Sequence, residues 1–176
     1  MPLPPKHFTE SRKEIEEILR EETLGFLGLA VNGEPYVVPL TYVYAEGRIL
    51  FHCAPTGKKL DFLRSNPQVC FTVGCQSGEI IRHPEGGVCR ADHDSVICRG
   101  AARIVEDPEE RGKLLDEFRR RLQPDAEAIT PEAASRCRAV EIRIREMTGR
   151  RWREGKREYW IYRFPTPAME EDHEAG

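Results

Sequence analysis

The chain has 176 residues, of which 39% are hydrophobic and 32% are charged, and its formal net charge is −3. This length fits one domain, and such a domain buries about 70% of the surface of its unfolded chain. The slightly acidic balance gives no basic field for nucleic acid, so we expect no nucleic-acid partner. No apolar run approaches the roughly 20 residues that span a bilayer, so we expect no membrane segment.

Hydrophobic periodicity predicts a mainly β chain with flanking helices. The main predicted elements are a helix at 11–22, strands at 25–31, 36–44 and 48–53, a helix at 58–65, strands at 69–74 and 95–105, a helix at 108–122 and a strand at 140–145. A short helix is predicted to begin at Thr130-Pro131, an N-cap followed by proline. Residues 75–93 hold several glycines and prolines and are predicted to form an irregular loop.

The six predicted strands are short, mostly antiparallel and joined by tight turns. This pattern favours a small six-stranded antiparallel β-barrel with flanking helices, which is an α+β fold. We expect an N-terminal extension at 1–10, one domain at 11–164, and a disordered acidic tail at 165–176. In the predicted N-terminal helix, Ser11 and Glu14 form an S-x-x-E capping box.

Two sequence features mark the first two predicted strands. Asn32-Gly33 is the dipeptide typical of a type I′ hairpin turn. Both faces of the strand at 36–44 are apolar, which predicts that both are covered. Pro39 cannot donate a ladder hydrogen bond, so it marks a sheet edge or a bulge and leaves nearby backbone groups free to meet a ligand.

The sequence Gly57-Lys58-Lys59 opens the helix at 58–65. A helix N-terminus presents unpaired N–H groups and a partial positive charge, which favour a bound phosphate. Two lysines oppose the helix dipole there, and a bound anion would offset that cost. The alternative interpretation is an ordinary solvated helix start. We expect a small, planar, anionic ligand.

The other candidate residues are less specific. His52 ends the strand before the glycine loop and is either a structural or a catalytic group. Trp152 and Trp160 flank a basic stretch that either covers a ligand or forms a surface hairpin.

The six cysteines have no C-x-x-C spacing and are expected to be reduced, structural thiols. Cys75, His83, Cys89 and His93 fall in one region, but their spacing matches no zinc pattern, so we predict no metal site. The N-terminus lacks the apolar core of a secretory signal, and we place the protein in the cytoplasm.

Three segments together are similar to one known family: F-L-G-L-A-V-N-G-E-P-Y-V-V-P-L-T-Y-V-Y, G-R-I-L-F-H-C-A-P-T-G-K-K-L-D-F-L-R-S-N-P-Q-V-C-F and S-V-I-C-R-G-A-A-R-I-V-E-D. They resemble the pyridoxamine 5′-phosphate oxidase-like flavin-binding split barrels, and among these the branch that contains the 5-nitroimidazole resistance proteins. The resemblance covers roughly residues 10–150. It implies a six-stranded split barrel that forms a homodimer, with FMN in clefts at the subunit interface.

The resemblance also implies site residues. The strand around Pro39 would line the flavin ring, the two lysines would bind its phosphate, and Trp152 or Arg150 would reach the partner's cofactor. The implied cofactor-binding residues are Val38, Pro39, Leu40, Thr41, His52, Gly57, Lys58, Lys59 and Trp152. The chain lacks the R-L-x-P ending of the vitamin B6 oxidases, so pyridoxamine phosphate is not the expected substrate.

We therefore predict transfer of a hydride or of electrons through FMN to a small acceptor such as a nitroaromatic compound or a quinone, with His52 as the catalytic residue. Three alternatives stay open. The barrel could bind haem through a histidine, it could bind the deazaflavin F420 through the basic stretch near Trp152, or it could hold a flavin without catalysis.

Overall fold

The computed structural model describes residues 7–81, 90–153 and 156–165. In chain order the elements are β1 (Thr9–Glu10), α1 (Lys13–Glu21), β2 (Leu24–Val31), β3 (Glu34–Thr41), β4 (Val43–Ala45), β5 (Arg48–Cys53), α2 (Lys58–Ser65), β6 (Gln68–Ile81), β7 (Arg90–Val105), α3 (Pro108–Leu122), α4 (Pro131–Ser135), β8 (Arg138–Arg153) and β9 (Lys156–Arg163). The predicted mainly β class with flanking helices is confirmed.

The first and last strands of the main ladder, β4 and β3, are neighbours in the chain, so the sheet curls round into a barrel. The ladder runs β4, β5, β8, β7, β6, β2, β3, and only Tyr42 separates β4 from β3. Counting β3 and β4 as one bent strand gives the six strands of the predicted barrel. Among the described residues no ladder joins β3 to β5, so the barrel stays open there. The strands β9 and β1 extend the sheet beyond β8.

Two tight turns set the register of the first strands. Asn32 and Gly33 both have positive φ, at 51° and 84°, which confirms the predicted type I′ hairpin between β2 and β3. Glu46 and Gly47 repeat this geometry, at 49° and 87°, between β4 and β5. Pro39 lies on β3, the last strand of the ladder, so its predicted edge position is confirmed.

The hydrophobic side chains form two cores. The larger core fills the barrel and includes Tyr42, Phe51 and Phe71, all fully buried. The smaller core lies outside the barrel wall, where α3 and α4 cover β4, β5 and the start of β8 around Leu50 and Phe118. Alternation along β5 therefore points successive side chains into different cores. None of the described helices is both long and apolar enough to cross a bilayer.

Most predicted bounds agree with the structure, and β5, α2 and α3 have the predicted limits. Three expectations about the secondary structure were wrong. Residues 75–81 and 90–93 are not an irregular loop, because backbone pairing extends β6 and β7 through a polar sequence that lacks a strand pattern. The predicted strand at 36–44 is interrupted at Tyr42, whose N–H bonds to the carbonyl of Thr23. Ser11 donates to the Glu14 carboxylate instead of capping α1, which follows Arg12.

Some predicted features lie outside the described residues. They comprise residues 1–6 of the N-terminal extension, residues 82–89 with His83 and Cys89, and residues 166–176 of the acidic tail. Within the described residues, Thr9 and Glu10 already pair with β9, so the sheet begins before the predicted domain start at residue 11.

Candidate functional site

A gap opens in the barrel wall where β3 and β5 part. The last pair between β4 and β5 on this side joins Val43 to Leu50. Extending that register by two positions sets Thr41 opposite His52, but β3 turns away to pair with β2 instead. The facing edges of β3 and β5 therefore carry backbone groups without a ladder partner. We call this gap the split.

Alternation along β3 divides the predicted ring-binding residues between two faces. Pro39 and Thr41 lie on the outer face and are exposed, whereas Leu40 is buried in the barrel core and Val38 is half-buried. Side chains at positions 39 and 41 can therefore meet a ligand on the outside, and Leu40 can offer only its backbone there. The expectation that both faces are covered is wrong for the single chain, because Val37 on the outer face is 62% exposed.

The N-terminus of α2 lies where the chain leaves β5. Gly57 has a φ of 131°, a conformation that side chains rarely adopt, and no side chain caps the helix. Apart from its two chain neighbours, none of the described residues has an atom within 4 Å of the position that a Cβ of Gly57 would occupy. The start of α2 therefore has open space beside Gly57 and no side-chain cap from the described residues, and a helix N-terminus of this kind leaves N–H groups without intrahelical partners.

The two lysines after Gly57 point to opposite sides of the split. Lys58 is ion-paired with Glu34 at the start of β3, with 2.6 Å between Nζ and Oε1, and lies over the ring of Tyr36. Lys59 turns to β5, where its Nζ is 5.3 Å from the centre of the Phe51 ring. Together they place one cation at each margin of the split, with the helix N-terminus between them.

His52 lies on the outer face of β5, beside the edge of Phe118, with 5.0 Å between the ring centres. The imidazole keeps an exposed edge. Partial burial, and then the positive charge of Lys59, hold the pKa of His52 below its ordinary value. The ring is therefore mainly neutral near pH 7, with one donor and one acceptor nitrogen.

Arg138 belongs to the same region, although the sequence did not single it out. It begins β8 and pairs with Cys53 at the end of β5. Its Nε is buried and has no hydrogen-bond partner among the described residues. Burial raises the pKa of the Cys53 thiol, while the nearby charges of Lys59 and Arg138 oppose that shift. Arg138 is thus a further cation near Lys59, and only the strand pairing could reveal it.

Trp152 does not join this group within one chain. It lies near the end of β8, with Arg157 of β9 stacked 4.0 Å above its ring. Trp152 lies thirteen residues along β8 from Ala139, which pairs with His52 beside the split. At a rise of about 3.3 Å per strand residue, Trp152 is far from the split of its own chain.

The cysteines add no metal centre to this region. The described cysteines Cys53, Cys70, Cys75, Cys98 and Cys137 are free thiols. Within the described residues, no three or more histidine, cysteine or acidic side chains form a group that could hold a metal ion. Cys75 and His93 lie on β6 and β7, paired with Asp94 and Gln76 respectively.

The split has the groups that a phosphorylated planar cofactor needs. The open helix end and the flanking cations suit a phosphate, and the orphaned Nε of Arg138 adds a donor without a partner. Pro39 and Thr41 give a partly apolar outer edge with free backbone groups. A flavin mononucleotide has both parts, a phosphate and a planar ring system.

A family model described as pyridoxamine 5′-phosphate oxidase matches residues 11–151. The chain belongs to this family. The match runs from the start of α1 to Arg151 in β8 and includes both margins of the split, and it confirms the resemblance that the sequence motifs carry.

Solved structures support the family fold. A candidate 5-nitroimidazole antibiotic resistance protein from Bacteroides thetaiotaomicron is 26% identical, with 80% of this chain and 84% of that one covered and a TM-score of 0.69. An FAD-binding protein from Mesorhizobium loti is 25% identical, with 81% and 96% covered and a TM-score of 0.62. Flavin binding therefore occurs among the family's structural relatives.

A curated relative, an uncharacterized protein from Rhizobium meliloti, is 33% identical over 63 residues. That alignment spans 36% of this chain and 41% of the relative's length.

Proposed function

We propose that this chain is an FMN-binding oxidoreductase that reduces a small acceptor, such as a nitroaromatic compound or a quinone. The observation that carries the proposal is the split itself, because an uncapped helix end with a lysine on either side faces an open strand edge. FMN would supply the transfer of a hydride or of electrons. The residues of the chain would bind the flavin, orient the acceptor beside it and limit the access of solvent.

The phosphate would bind at the N-terminus of α2. The free N–H groups after Gly57 donate to its oxygens, and Lys59 needs little movement because it already leans toward β5. Lys58 must first leave Glu34, and an exposed ion pair of this kind contributes only about 0–1 kcal/mol. Arg138 can satisfy its buried Nε on the same anion.

The ring system would lie along the outer edge of β3. Pro39 gives it an apolar contact, and the unpaired backbone groups between Val38 and Thr41 can bond to its polar edge. His52 lies on the opposite margin. Because its pKa is lowered, the imidazole is mainly neutral and can orient an acceptor through its N–H group, while the smaller imidazolium fraction can hand over a proton.

We further propose a homodimer with the cofactor at the subunit interface. The outer face of β2, β3 and β7 carries exposed apolar side chains: Leu24, Phe26, Val37 and Ile97. Strand register places Phe26 between Pro39 and Thr72, and it places Thr72 beside Ile97. We call these four residues the dimer row, because they form one unbroken row across four strands. A continuous apolar row on a sheet face is typical of a protein interface. A second copy is the occupant that would also bring Trp152 to the split.

The cofactor's identity tests the proposal. The purified protein should absorb near 450 nm and release FMN, identified by mass spectrometry after denaturation. Release of FAD or F420 would replace FMN but keep a flavin-type cofactor at the split. A haem Soret band without flavin would overturn the proposal, and so would a colourless protein that fails to bind added FMN. A flavin that never reoxidises with nitroaromatics or quinones would leave a binding protein without the proposed activity.

We also place this activity in the cytoplasm. The described cysteines are all free thiols, as expected where glutathione and thioredoxin keep thiols reduced.

A further inference from the structure

A groove runs between the ends of α1 and α3, across the short strand β4. Its volume is about 240 Å³. The residues that line it include Leu19, Arg20, Glu22, Tyr44, Arg121 and Leu122. No residue of the dimer row lines this groove, and neither Arg150 nor Trp152 does. The groove is therefore separate from the dimer row and from the residues that we assign to the partner's cofactor.

Each wall of the groove contains a guanidinium that its carboxylate partner does not fully engage. On α1, Arg20 and Arg12 share the single carboxylate of the buried Glu16, at 2.7 and 2.6 Å. On α3, Arg121 reaches Glu117 only at 3.5 Å between Nη2 and Oε1. A further carboxylate between the walls could therefore pair with both Arg20 and Arg121.

The groove has one acidic residue of its own. Glu22 follows α1, at the end of the groove that adjoins the start of β2. Burial, and then a hydrogen bond to Glu22, raise the pKa of the Cys75 thiol, so this carboxylate has a partner inside the barrel. Arg20 lies instead over the ring of Tyr44, with 5.4 Å between its Cζ and the ring centre. The basic end of the groove is therefore the Tyr44 end.

The described chain ends beside that basic end. Phe164 packs so closely on Gly47 that a Cβ added to Gly47 would lie 2.7 Å from the ring. The N–H of Gly47 donates to the hydroxyl of Tyr44 at 2.8 Å, and Tyr44 lines the groove. Pro165 follows Phe164 and is exposed. The residues after Pro165 therefore start next to the groove.

Those residues read T-P-A-M-E-E-D-H-E-A-G, with no lysine or arginine among them. Their carboxylates belong to Glu170, Glu171, Asp172 and Glu174. An extended chain advances by about 3.4 Å per residue, so Glu170 can reach roughly 17 Å from Pro165. The strand β4, which forms the floor of the groove, spans only about 10 Å. The acidic residues can therefore reach any part of the groove.

We propose that this groove binds the chain's own acidic segment, residues 170–174, with its carboxylates on Arg20 and Arg121. Leu122 is 40% exposed and offers an apolar contact to Met169. Exposed ion pairs are weak, but a short tether holds the segment at a millimolar effective concentration, so weak pairs suffice. The proposal requires neither flavin nor a second copy.

Zero-length cross-linking of the full chain identifies the occupant. Arg121→Lys keeps the charge and places an amine in the groove, and a carbodiimide joins an amine to a carboxylate only where the two are in contact. Mass spectrometry after digestion should find position 121 joined to residues 170–174. Arg64→Lys is the matched control, because Arg64 of α2 is also exposed and has a 3.5 Å ion pair to Asp61. This control should give no such product.

The products also report the source of the segment. On a denaturing gel, a cross-link within one chain keeps the mass of the monomer, whereas a cross-link between copies doubles it. A doubled mass would assign the segment to a second copy and overturn the proposal. Cross-links from residues 170–174 to Lys58 or Lys59 in place of position 121 would put the acidic segment at the split, which also overturns it.

Arg121→Gln tests the charge in solution. The amide resonances of residues 170–174 report the ratio of docked to free segment. Arg121→Gln should lower that ratio by roughly two- to fivefold, the effect of one exposed ion pair, and added salt should lower it further. Arg64→Gln should leave it unchanged, and thermal melts establish that each variant is folded. If folded Arg121→Gln and the unaltered chain give the same tail resonances at low and high salt, the groove does not bind the segment.

Discussion

Lys58 and Glu34 join the first residue of α2 to the first residue of β3, with 2.6 Å between Nζ and Oε1. Both side chains are more than half exposed, so the pair adds little to stability. Its effect is positional, because it holds one cation at the β3 margin of the split while Lys59 holds another at the β5 margin. A phosphate at the helix N-terminus would draw both inward.

Replacing these lysines should weaken FMN binding in steps. Lys59→Ala removes a cation that already faces β5, and we expect a loss of about 1.5–3 kcal/mol, or roughly ten- to a hundredfold in Kd. Lys58→Ala should lose less, since Lys58 must first leave Glu34. Quenching of flavin fluorescence measures both.

Two control variants sharpen this experiment. Glu34→Gln frees Lys58 from its partner and should tighten FMN binding or leave it unchanged. Lys113→Ala removes an exposed, ion-paired lysine from α3, where it pairs with Glu109, and should have no effect. If Lys59→Ala binds FMN as tightly as Lys113→Ala, the phosphate does not bind at α2.

The second prediction concerns His52. His52→Ala should keep FMN binding but slow the reduction of a nitroaromatic acceptor by about 10²–10⁴-fold, the usual contribution of a positioned acid–base group. Stopped-flow reoxidation of the reduced flavin separates this step from binding. Unaltered turnover would make His52 a structural residue of the α3 contact.

The environment of His52 gives a third, independent prediction. Burial and then Lys59 lower its pKa, so Lys59→Ala should raise that pKa part of the way toward the ordinary value of 6.5. Burial remains in the variant, which is why the return is incomplete. Lys58→Ala should leave the pKa where it is, because Lys58 points to β3. Proton NMR titration of the five histidines checks this, and equal shifts in both variants would contradict it.

The fourth prediction tests the dimer row. Phe26→Glu places a charge in its centre and should convert a dimer into monomers, since an unpaired charge is costly to bury. Leu122→Glu changes an equally exposed apolar residue at the end of α3 and should leave the mass unaltered. Light scattering after size-exclusion chromatography measures both. Phe26→Glu should lose bound flavin together with the dimer, whereas Leu122→Glu should lose neither. If the unaltered chain is itself a monomer, the dimer proposal is wrong.

The sequence predicted those parts of the fold that local patterns determine. Asn32-Gly33 fixed a hairpin because positive φ favours those residues, and the α3 limits followed from Asp107, whose side chain caps Glu110 N–H. The extension of β6 and β7 beyond Gly74 was missed, because its pairing depends on partner strands and not on alternating hydrophobicity.

The candidate site divides in the same way. Gly57 and the lysines form a contiguous motif that a sequence can reveal. Arg138 is distant in sequence, and only its pairing with Cys53 brings it to the split. The opposite directions of Lys58 and Lys59 depend on Glu34 and Phe51, which the motif does not contain.

The last prediction tests an ion network that attaches α3 to the barrel. Glu141 is 2% exposed, and its carboxylate accepts from Arg103 Nε at 2.6 Å and from Arg48 Nη1 at 3.1 Å. These arginines continue to Glu110 and Glu117 of α3. Glu141→Gln should therefore destabilise the fold by about 1–3 kcal/mol, measured by urea unfolding at neutral pH.

The pH dependence of that loss has a definite sign. Burial raises the pKa of Glu141, but the hydrogen bonds from Arg103 and Arg48 outweigh it and leave the pKa below the ordinary 4.5. The folded state therefore binds fewer protons than the unfolded state. Its stabilisation is complete above the unfolded pKa and is lost as the pH falls through the lower, folded value. Glu141→Gln should reduce this loss of stability at acid pH, whereas Glu109→Gln, on the exposed surface of α3, should retain it. If the free energy of unfolding falls equally with pH in the unaltered chain and in both variants, Glu141 does not anchor α3.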